Sequence, residues 1–280
     1  MRAMIRSVRL PDASSVPALG QGTWHMGEQP NRRRDEVAAI RLGIELGMTL
    51  IDTAEMYGDG GAEEMLGEAL RDLRDQVFLV SKVYPHNAGR GRIERACEAS
   101  LNRLNTDRLD LYLLHWRGSV PLAETVEGMQ ALVQAGKIRR WGVSNFDARD
   151  MQELWSAGGE ACATNQILYN VTERGPEYDL MPQLARRGAP VMAYSPVGQG
   201  RLPRSRALEA VAARHQATPF QIALAWALRD PAVIAIPKAT SQAHVRDNRR
   251  AGDLVLTAQD LAEIDVDFPP PSRRTPLAML

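Results

Sequence analysis

Asp52, Tyr57, Lys82 and His115 are residue types that together can deliver a proton to a carbonyl oxygen. A tyrosine is a weak acid at neutral pH, and an adjacent ammonium favours its anion, so Lys82 is expected to lower the pKa of Tyr57. A carboxylate at Asp52 would keep Lys82 charged and aimed, because a buried lysine without a partner tends to lose its proton. His115 is left to orient the substrate oxygen or to share the proton. The set lacks only a source of hydride or electrons. Taken singly, Asp52 reads equally as a strand-end cap, Lys82 as a surface cation and His115 as a satisfied core residue. Four compatible residues at successive strand ends are hard to obtain from packing alone, and a structural salt bridge would leave Tyr57 and His115 without a task.

The elements that must position them are short apolar runs. Residues 48–51, 77–80 and 109–114 are largely aliphatic, each closed by a polar residue, and read as buried parallel strands. Between them, Met65, Leu66, Ala69, Leu70 and Leu73, then Ile93, Ala96, Cys97, Leu101 and Leu104, fall at helical spacing. Further strands are expected at 18–22, 138–144, 163–167, 191–195 and 233–236, which brings the count to eight. Helices are expected at 32–46, 124–135, 148–155, 178–187 and 219–228, the last opened by Thr218 as N-cap with Pro219 at N1. This alternation predicts an α/β fold, a (β/α)8 barrel forming one domain over residues 1–280, with the active site at the carboxyl ends of the strands. An N-terminal hairpin from residues 5–10 and Val16 precedes the repeat. A short C-terminal tail follows from Phe268, where Pro269, Pro270 and Pro271 forbid a helical start. Both are expected to pack outside the repeat.

Lys plus Arg equals Asp plus Glu at 34 each, so bulk charge offers no case for a nucleic-acid partner or a membrane surface. Arg32, Arg33 and Arg34 read as a solvated helix start. Residues 1–8 carry no apolar stretch of signal-peptide length, and no run is long enough to span a bilayer, so a cytoplasmic protein is expected. Cys97 and Cys162 are expected to be reduced, structural thiols. No HExxH or CxxC spacing occurs, and no metal site is expected.

Several segments in order along the chain resemble the aldo-keto reductases, of the bacterial NADPH-dependent type. GMTLIDTAEMYG at 47–58 resembles the family's Asp-to-Tyr segment, VFLVSK at 77–82 its lysine strand and LDLYLLHW at 109–116 its histidine strand. GVSNF at 142–146 and IPKATS at 236–241 resemble its cofactor segments. The resemblance runs from residue 20 to residue 248. It implies NADPH-dependent reduction of aldehydes or ketones to alcohols, with Tyr57 as general acid, Lys82 and Asp52 as its tuning pair, and His115 orienting the carbonyl. The cofactor would bring the hydride, leaving placement and electrostatics to the protein.

The same resemblance implies that Ser144, Asn145 and Gln166 hydrogen-bond the nicotinamide carboxamide and that Tyr194 stacks on its ring. Gly22 and Thr23 fall where the first strand meets the nicotinamide ribose, and the missing side chain at Gly22 would permit close approach. Lys238 and Thr240 resemble the 2′-phosphate site, and Asp247 and Asn248 the pair that contacts adenine. The chain departs from the pattern at His244, where many members carry a phosphate-pairing arginine; an imidazole offers one donor in place of a rigid fork, which keeps NADH as a second cofactor beside NADPH. Arg246 or Ser241 is a candidate to compensate. No complete GxGxxG occurs, which argues against a Rossmann domain.

Residues 195–206, beginning at Ser195, contain four glycine or proline residues and three arginines, as suits a mobile loop over a pyrophosphate with Arg201 as its phosphate contact; opening of such a loop is a candidate limit on turnover. Trp24, Met56, Tyr84 and Trp116 neighbour the rim positions and read as an apolar mouth for a small carbonyl substrate. The tail is expected to leave that mouth open. A monomer is expected. Two alternatives stay open: a non-catalytic NADPH-binding sensor on the same barrel, and a lyase using Lys82 as a Schiff-base nucleophile, which Asp52 opposes by keeping that lysine charged.

Overall fold

The computed structural model describes residues 5–280. Strands β1 (Ser7–Arg9) and β2 (Ser15–Pro17) form an antiparallel hairpin. Eight parallel strands follow: β3 (Gln21–Gly22), β4 (Leu50–Asp52), β5 (Phe78–Val83), β6 (Leu111–Leu114), β7 (Trp141–Ser144), β8 (Asn165–Leu168), β9 (Val191–Tyr194) and β10 (Val233–Ala235). Each pairs with the next in chain order. Single parallel bridges, Leu19 to Ala235 and Gly22 to Lys238, join the first strand region to the last and close the sheet. Along this seam Gly20 donates its amide to the Ala235 carbonyl at 2.9 Å and Gly22 to that of Pro237 at 3.1 Å. A side chain at either glycine would press on backbone: a Cβ at Gly20 would lie 2.6 Å from the Leu50 carbonyl oxygen, and one at Gly22 2.9 Å from that of Ile236.

The helices are α1 (Arg33–Glu45), α2 (Gly61–Ala69), α3 (Arg92–Leu104), α4 (Leu122–Gln134), α5 (Ala148–Ser156), α6 (Leu180–Ala185), α7 (Arg206–Arg214), α8 (Pro219–Ala227), α9 (Gln242–Ala251) and α10 (Ala258–Asp267). All eight expected strands are present, within a few residues of their expected limits, and the fold is a (β/α)8 barrel. α8 starts as the sequence predicts: Thr218 Oγ1 accepts from the Gln221 amide and Gln221 Oε1 from the Thr218 amide, a reciprocal cap. α6 is shorter than its expected 178–187, with a separate turn of 3-10 helix at Gly175–Glu177 before it. α7, α9 and α10 are additional. Among the described residues no helix is long and apolar enough to cross a membrane.

Side chains on a strand alternate between faces, so the barrel sorts its apolar residues into two layers. Ile51, Leu79, Tyr112, Leu114, Val143 and Ile167 pack outward in one cluster with the helices. Leu50, Val80, Leu111, Leu113, Met192, Ile234 and Ile236 form a separate, interior cluster. The hairpin departs from expectation: Val8, Leu10, Val16 and Ala18 join this interior cluster, because an apolar barrel end left open would face water. The tail also departs. Arg274 ion-pairs with Asp147 and Asp179, Leu277 packs against the helix-facing core, and Met279 and Leu280 reach the cavity described below.

Candidate active site

Advancing two residues from each interior apolar position keeps the side chain on the inner face and moves it to the strand's carboxyl end. From Leu50 this gives Asp52, from Val80 Lys82, from Leu113 His115, from Met192 Tyr194, and from Ile236 Lys238. The strand alternation that fills the barrel therefore also gathers the polar set at one rim. Tyr57 arrives on the connection after β4, in a 3-10 turn at Tyr57–Gly60 where Gly58 and Asp59 adopt positive φ of 59° and 52°. Glu55 fastens that connection to β5: its amide donates to the Lys82 carbonyl at 3.3 Å, and its Oε1 accepts from the Tyr84 amide at 2.6 Å.

Lys82 is fully buried and its Nζ has three partners: Asp52 Oδ2 at 2.8 Å, the Thr53 carbonyl at 2.7 Å and the Tyr57 hydroxyl at 3.1 Å. Three acceptors match the three N–H groups of an ammonium. Burial pushes the Asp52 carboxyl up and the Lys82 ammonium down, and each partner's charge opposes that shift in the other. An ammonium can only donate, so the Tyr57 oxygen must accept in this contact, and its own O–H is left to point elsewhere. Burial, reinforced by the charge of Asp52, holds the Tyr57 phenol well above 10. This reverses the expectation that Lys82 lowers it: desolvation of a phenolate, with the nearby Asp52 carboxylate, sets the direction of the shift. Tyr57 is a protonated phenol at neutral pH.

His115 sits edge-on to Tyr57, ring centroids 5.8 Å apart, and burial together with the Lys82 charge drives its pKa down to about 2. The imidazole is neutral, so a shared proton on an imidazolium is not available and orientation is the role left to it. Its Nδ1 is buried without a partner. An orphaned N–H is costlier than an orphaned lone pair, which assigns the proton to Nε2.

A cavity of about 810 Å³ opens on this rim. At its inner end it is lined by Asp52, Tyr57, His115, Ser144, Asn145, Gln166 and Tyr194, and at its far end by Lys238, His244, Asp247 and Asn248, with Gly22 and Ser195 also on the wall. Gln166 donates its amide nitrogen to Asp52 Oδ1 at 2.7 Å, which leaves its carbonyl oxygen as the group to offer a ligand. Ser144 Oγ accepts from Asn145 Nδ2 at 3.2 Å, which leaves its O–H to donate. One acceptor and one donor side by side fit a carboxamide, and the Tyr194 ring supplies a flat face, its hydroxyl held by Asn145 Oδ1 at 2.9 Å. The donor set therefore fits a nicotinamide dinucleotide.

Asn145 and Ser195 leave their strands with positive φ of 59° and 48°, turning the chain sharply at the rim. Asn165 clamps the first of these turns: its Nδ2 donates to the Phe146 carbonyl at 2.8 Å and its Oδ1 accepts from the Phe146 amide at 3.4 Å. Thr23 is buried behind the wall, its hydroxyl donating to the Asp52 carbonyl at 3.0 Å. Arg201 and Thr240 also lie off the cavity wall, and Arg201 is exposed. Trp24, Met56 and Trp116 line the mouth, whereas Tyr84 stands behind Trp116, in edge contact at 5.8 Å.

Other wall residues escape a motif-based reading. Met279 and Leu280 are carried in by the tail, and Thr218, Phe220 and Gln221 by the start of α8. Only Phe220 leaves a trace in the sequence, as a large apolar side chain directly after an N1 proline. Cys97 and Cys162 are both buried, and burial pushes each thiol up to about 12. Among the described residues no three His, Cys, Asp or Glu side chains are grouped to hold a metal ion.

Comparison with known proteins agrees with this geometry. A methylglyoxal reductase of Escherichia coli K12, YeaE, is 55% identical over 272 residues, covering 95% of this chain and 96% of that protein. A glyoxal reductase of Bacillus subtilis 168 is 31% identical over 262 residues, covering 92% of this chain and 91% of that one. A crystal structure of an aldo/keto reductase from Klebsiella pneumoniae in complex with NADP and acetate superposes with a TM-score of 0.96 at 54% identity, covering 99% of this chain and all of that one. The model of the aldo/keto reductase family matches residues 18–266. The chain is a member of the aldo/keto reductase family.

Proposed function

We propose that this protein reduces small aldehydes and ketones to alcohols with NADPH as reductant, NADH serving less well. The observation that carries the reading is the contact between Lys82 Nζ and the Tyr57 hydroxyl, which leaves a protonated phenol with its O–H free at the cavity. The bound nicotinamide supplies the hydride that goes to the carbonyl carbon. Tyr57 gives its proton to the carbonyl oxygen, and the phenolate left behind is held by the Lys82 ammonium already in contact with it. Asp52 keeps Lys82 in place through the 2.8 Å ion pair. His115, neutral and with its proton on Nε2, donates to the same oxygen and aims it at Tyr57. Ser144, Asn145, Gln166 and Tyr194 hold the nicotinamide end, and Lys238, His244, Asp247 and Asn248 the adenosine end.

The relatives named as methylglyoxal and glyoxal reductases point to 2-oxoaldehydes as the substrate class. Trp24, Met56 and Trp116 form a mouth suited to such short molecules. We also assign the work to a monomer made of one barrel domain in the cytoplasm. A sensor without catalysis has no observation in its favour, since the four reacting positions stand together. A Schiff-base role for Lys82 is opposed by the three hydrogen bonds that hold its ammonium.

The test follows the loss of NADPH absorbance with methylglyoxal, simple aldehydes and ketones, comparing wild type with Tyr57→Phe. The variant is expected to lose at least about 100-fold in kcat, the usual worth of a positioned acid, while still binding NADPH. Undiminished turnover would remove Tyr57 from the reaction.

A further inference from the structure

Tyr57 and Lys82 stand on different elements, and their 3.1 Å contact requires the turn after β4 to be held at a fixed height against β5. The turn does little to hold itself. Gly58, Asp59 and Gly60 adopt φ of 59°, 52° and 90° in succession, a left-handed run that is costly at Asp59 and persists only where its surroundings enforce it. Two carboxylates supply that support. Glu55, before Tyr57 in the chain, accepts from the Tyr84 amide at 2.6 Å, and Glu63, after it, accepts from the Ser81 hydroxyl at 2.5 Å. Ser81 and Tyr84 lie on either side of Lys82, so the two acids bracket Tyr57 along the chain and Lys82 along β5.

Glu63 is the less expected of the two. It belongs to the first turn of α2, where a carboxylate at the surface would already complement the helix dipole, yet Glu63 and Ser81 are both fully buried. The second oxygen of Glu63 accepts from Arg103 Nε at 2.7 Å, and Arg103 lies across Gly60, where a Cβ would stand 2.7 Å from its Cδ. Taking a carboxylate out of water is costly, and well-packed apolar residues in place of a buried ion pair are often as stable or more so. Stability is therefore a weak reason for this group, whereas a directed bond to the residue before Lys82 is a geometric one. Its charge also helps: burial draws the Lys82 ammonium down, and the charges of Asp52 first and Glu63 next resist this.

We propose that Glu63, acting through Ser81, is a positioning residue for proton transfer, fixing the strand that carries Lys82 to the helix that begins at the Tyr57 turn. This role rests on Tyr57 being the general acid. Glu63 and Ser81 are both absent from the cavity wall, so they act on the reaction only through the residues they hold. With the tie cut, α2 and β5 keep their own packing, but the phenol and the ammonium lose their common frame. The phenolate that forms as the proton leaves is then less well held.

Ser81→Ala removes the tie and leaves the Glu63–Arg103 ion pair in place. The double variant Ser81→Ala/Glu63→Met replaces both partners with apolar groups, a change that can be nearly neutral for stability. Circular dichroism checks the fold of each variant, fluorescence titration its affinity for NADPH, and steady-state reduction of methylglyoxal or a simple aldehyde, in light and heavy water, its catalysis. Both variants are expected to bind NADPH as wild type does and to lose about 10- to 100-fold in kcat with KM little changed, the usual cost of a misplaced reacting group. The solvent isotope effect on kcat should rise, because proton transfer becomes the slow step. An undiminished kcat in a folded variant would overturn the positioning role while leaving Tyr57 as the acid. Lost kcat with an unchanged isotope effect, or with weakened NADPH binding, would also overturn it and make Glu63 a structural support. Failure of both variants to fold would do the same. If wild type reduces no carbonyl, or Tyr57→Phe turns over undiminished, the proposed function falls and this role with it.

Discussion

At the scale of single residues, the protonation states of Tyr57 and His115 are set by burial more than by neighbouring charge. With Tyr57 held well above 10 and His115 at about 2, neither changes protonation across the neutral range. The reduction kcat is therefore expected to be flat from about pH 6 to about pH 9, with loss only on the alkaline side as the phenol ionises. A kcat profile with a limb near pH 7 would assign the acid to another group. Stability follows a different course. His115 has a depressed pKa, so below its ordinary value of 6.5 the unfolded chain takes up a proton that the native chain refuses. Native stability accordingly falls as pH drops from 6.5 toward about 2. The identities of Asp52, Lys82 and His115 were legible because each ends an apolar run. The sign of the Tyr57 shift was not, since it depends on how much water the cavity wall excludes and on the nearby Asp52 carboxylate.

Among the elements, strand positions were legible and several helices were not. β4, β5 and β6 announce themselves by unbroken aliphatic runs, a pattern that follows from burial on both faces. α9, with the sequence QAHVRDNRRA, buries only Val245, Arg249 and Ala251 and so shows little apolar periodicity. α7 begins at Arg206, where the glycine- and proline-broken segment ends, and its buried Ala207, Leu208, Val211 and Ala212 are small or few. The turn that follows β7 illustrates how an element's end is held for function. Asn165, on the neighbouring strand, bonds both backbone groups of Phe146, next to the positive-φ residue Asn145. Asn165→Ala is expected to cost about 1–3 kcal/mol of stability by leaving buried backbone groups unpaired. It should also raise KM for NADPH more than it lowers kcat, because Asn145 and Ser144 would lose their fixed aim. Urea denaturation and steady-state kinetics read the two effects, and an unchanged KM would reduce Asn165 to a purely structural clamp.

For the whole molecule, the eight strands and their barrel could be read from the sequence, but the residues that meet at its seam, the interior packing of the hairpin and the returning tail could not, because they are contacts between distant segments with no local signature. Closure is tight at Gly20, where a Cβ would meet the Leu50 carbonyl at 2.6 Å, an obstacle of backbone that cannot rotate away. Gly20→Ala is expected to destabilise the barrel by about 1–3 kcal/mol through overpacking. Thermal unfolding should show this as a lowered Tm; an unchanged Tm would mean that the seam yields freely. Gly22 and Lys238, the bridged pair of that seam, also line the cavity. A chain emerging from synthesis owns the first of these long before the last strand docks, and until then each half of the dinucleotide site faces open solvent. Retention of cofactor thus reports a finished fold, and a cell well supplied with NADPH would favour completed molecules over those still waiting for their final strand.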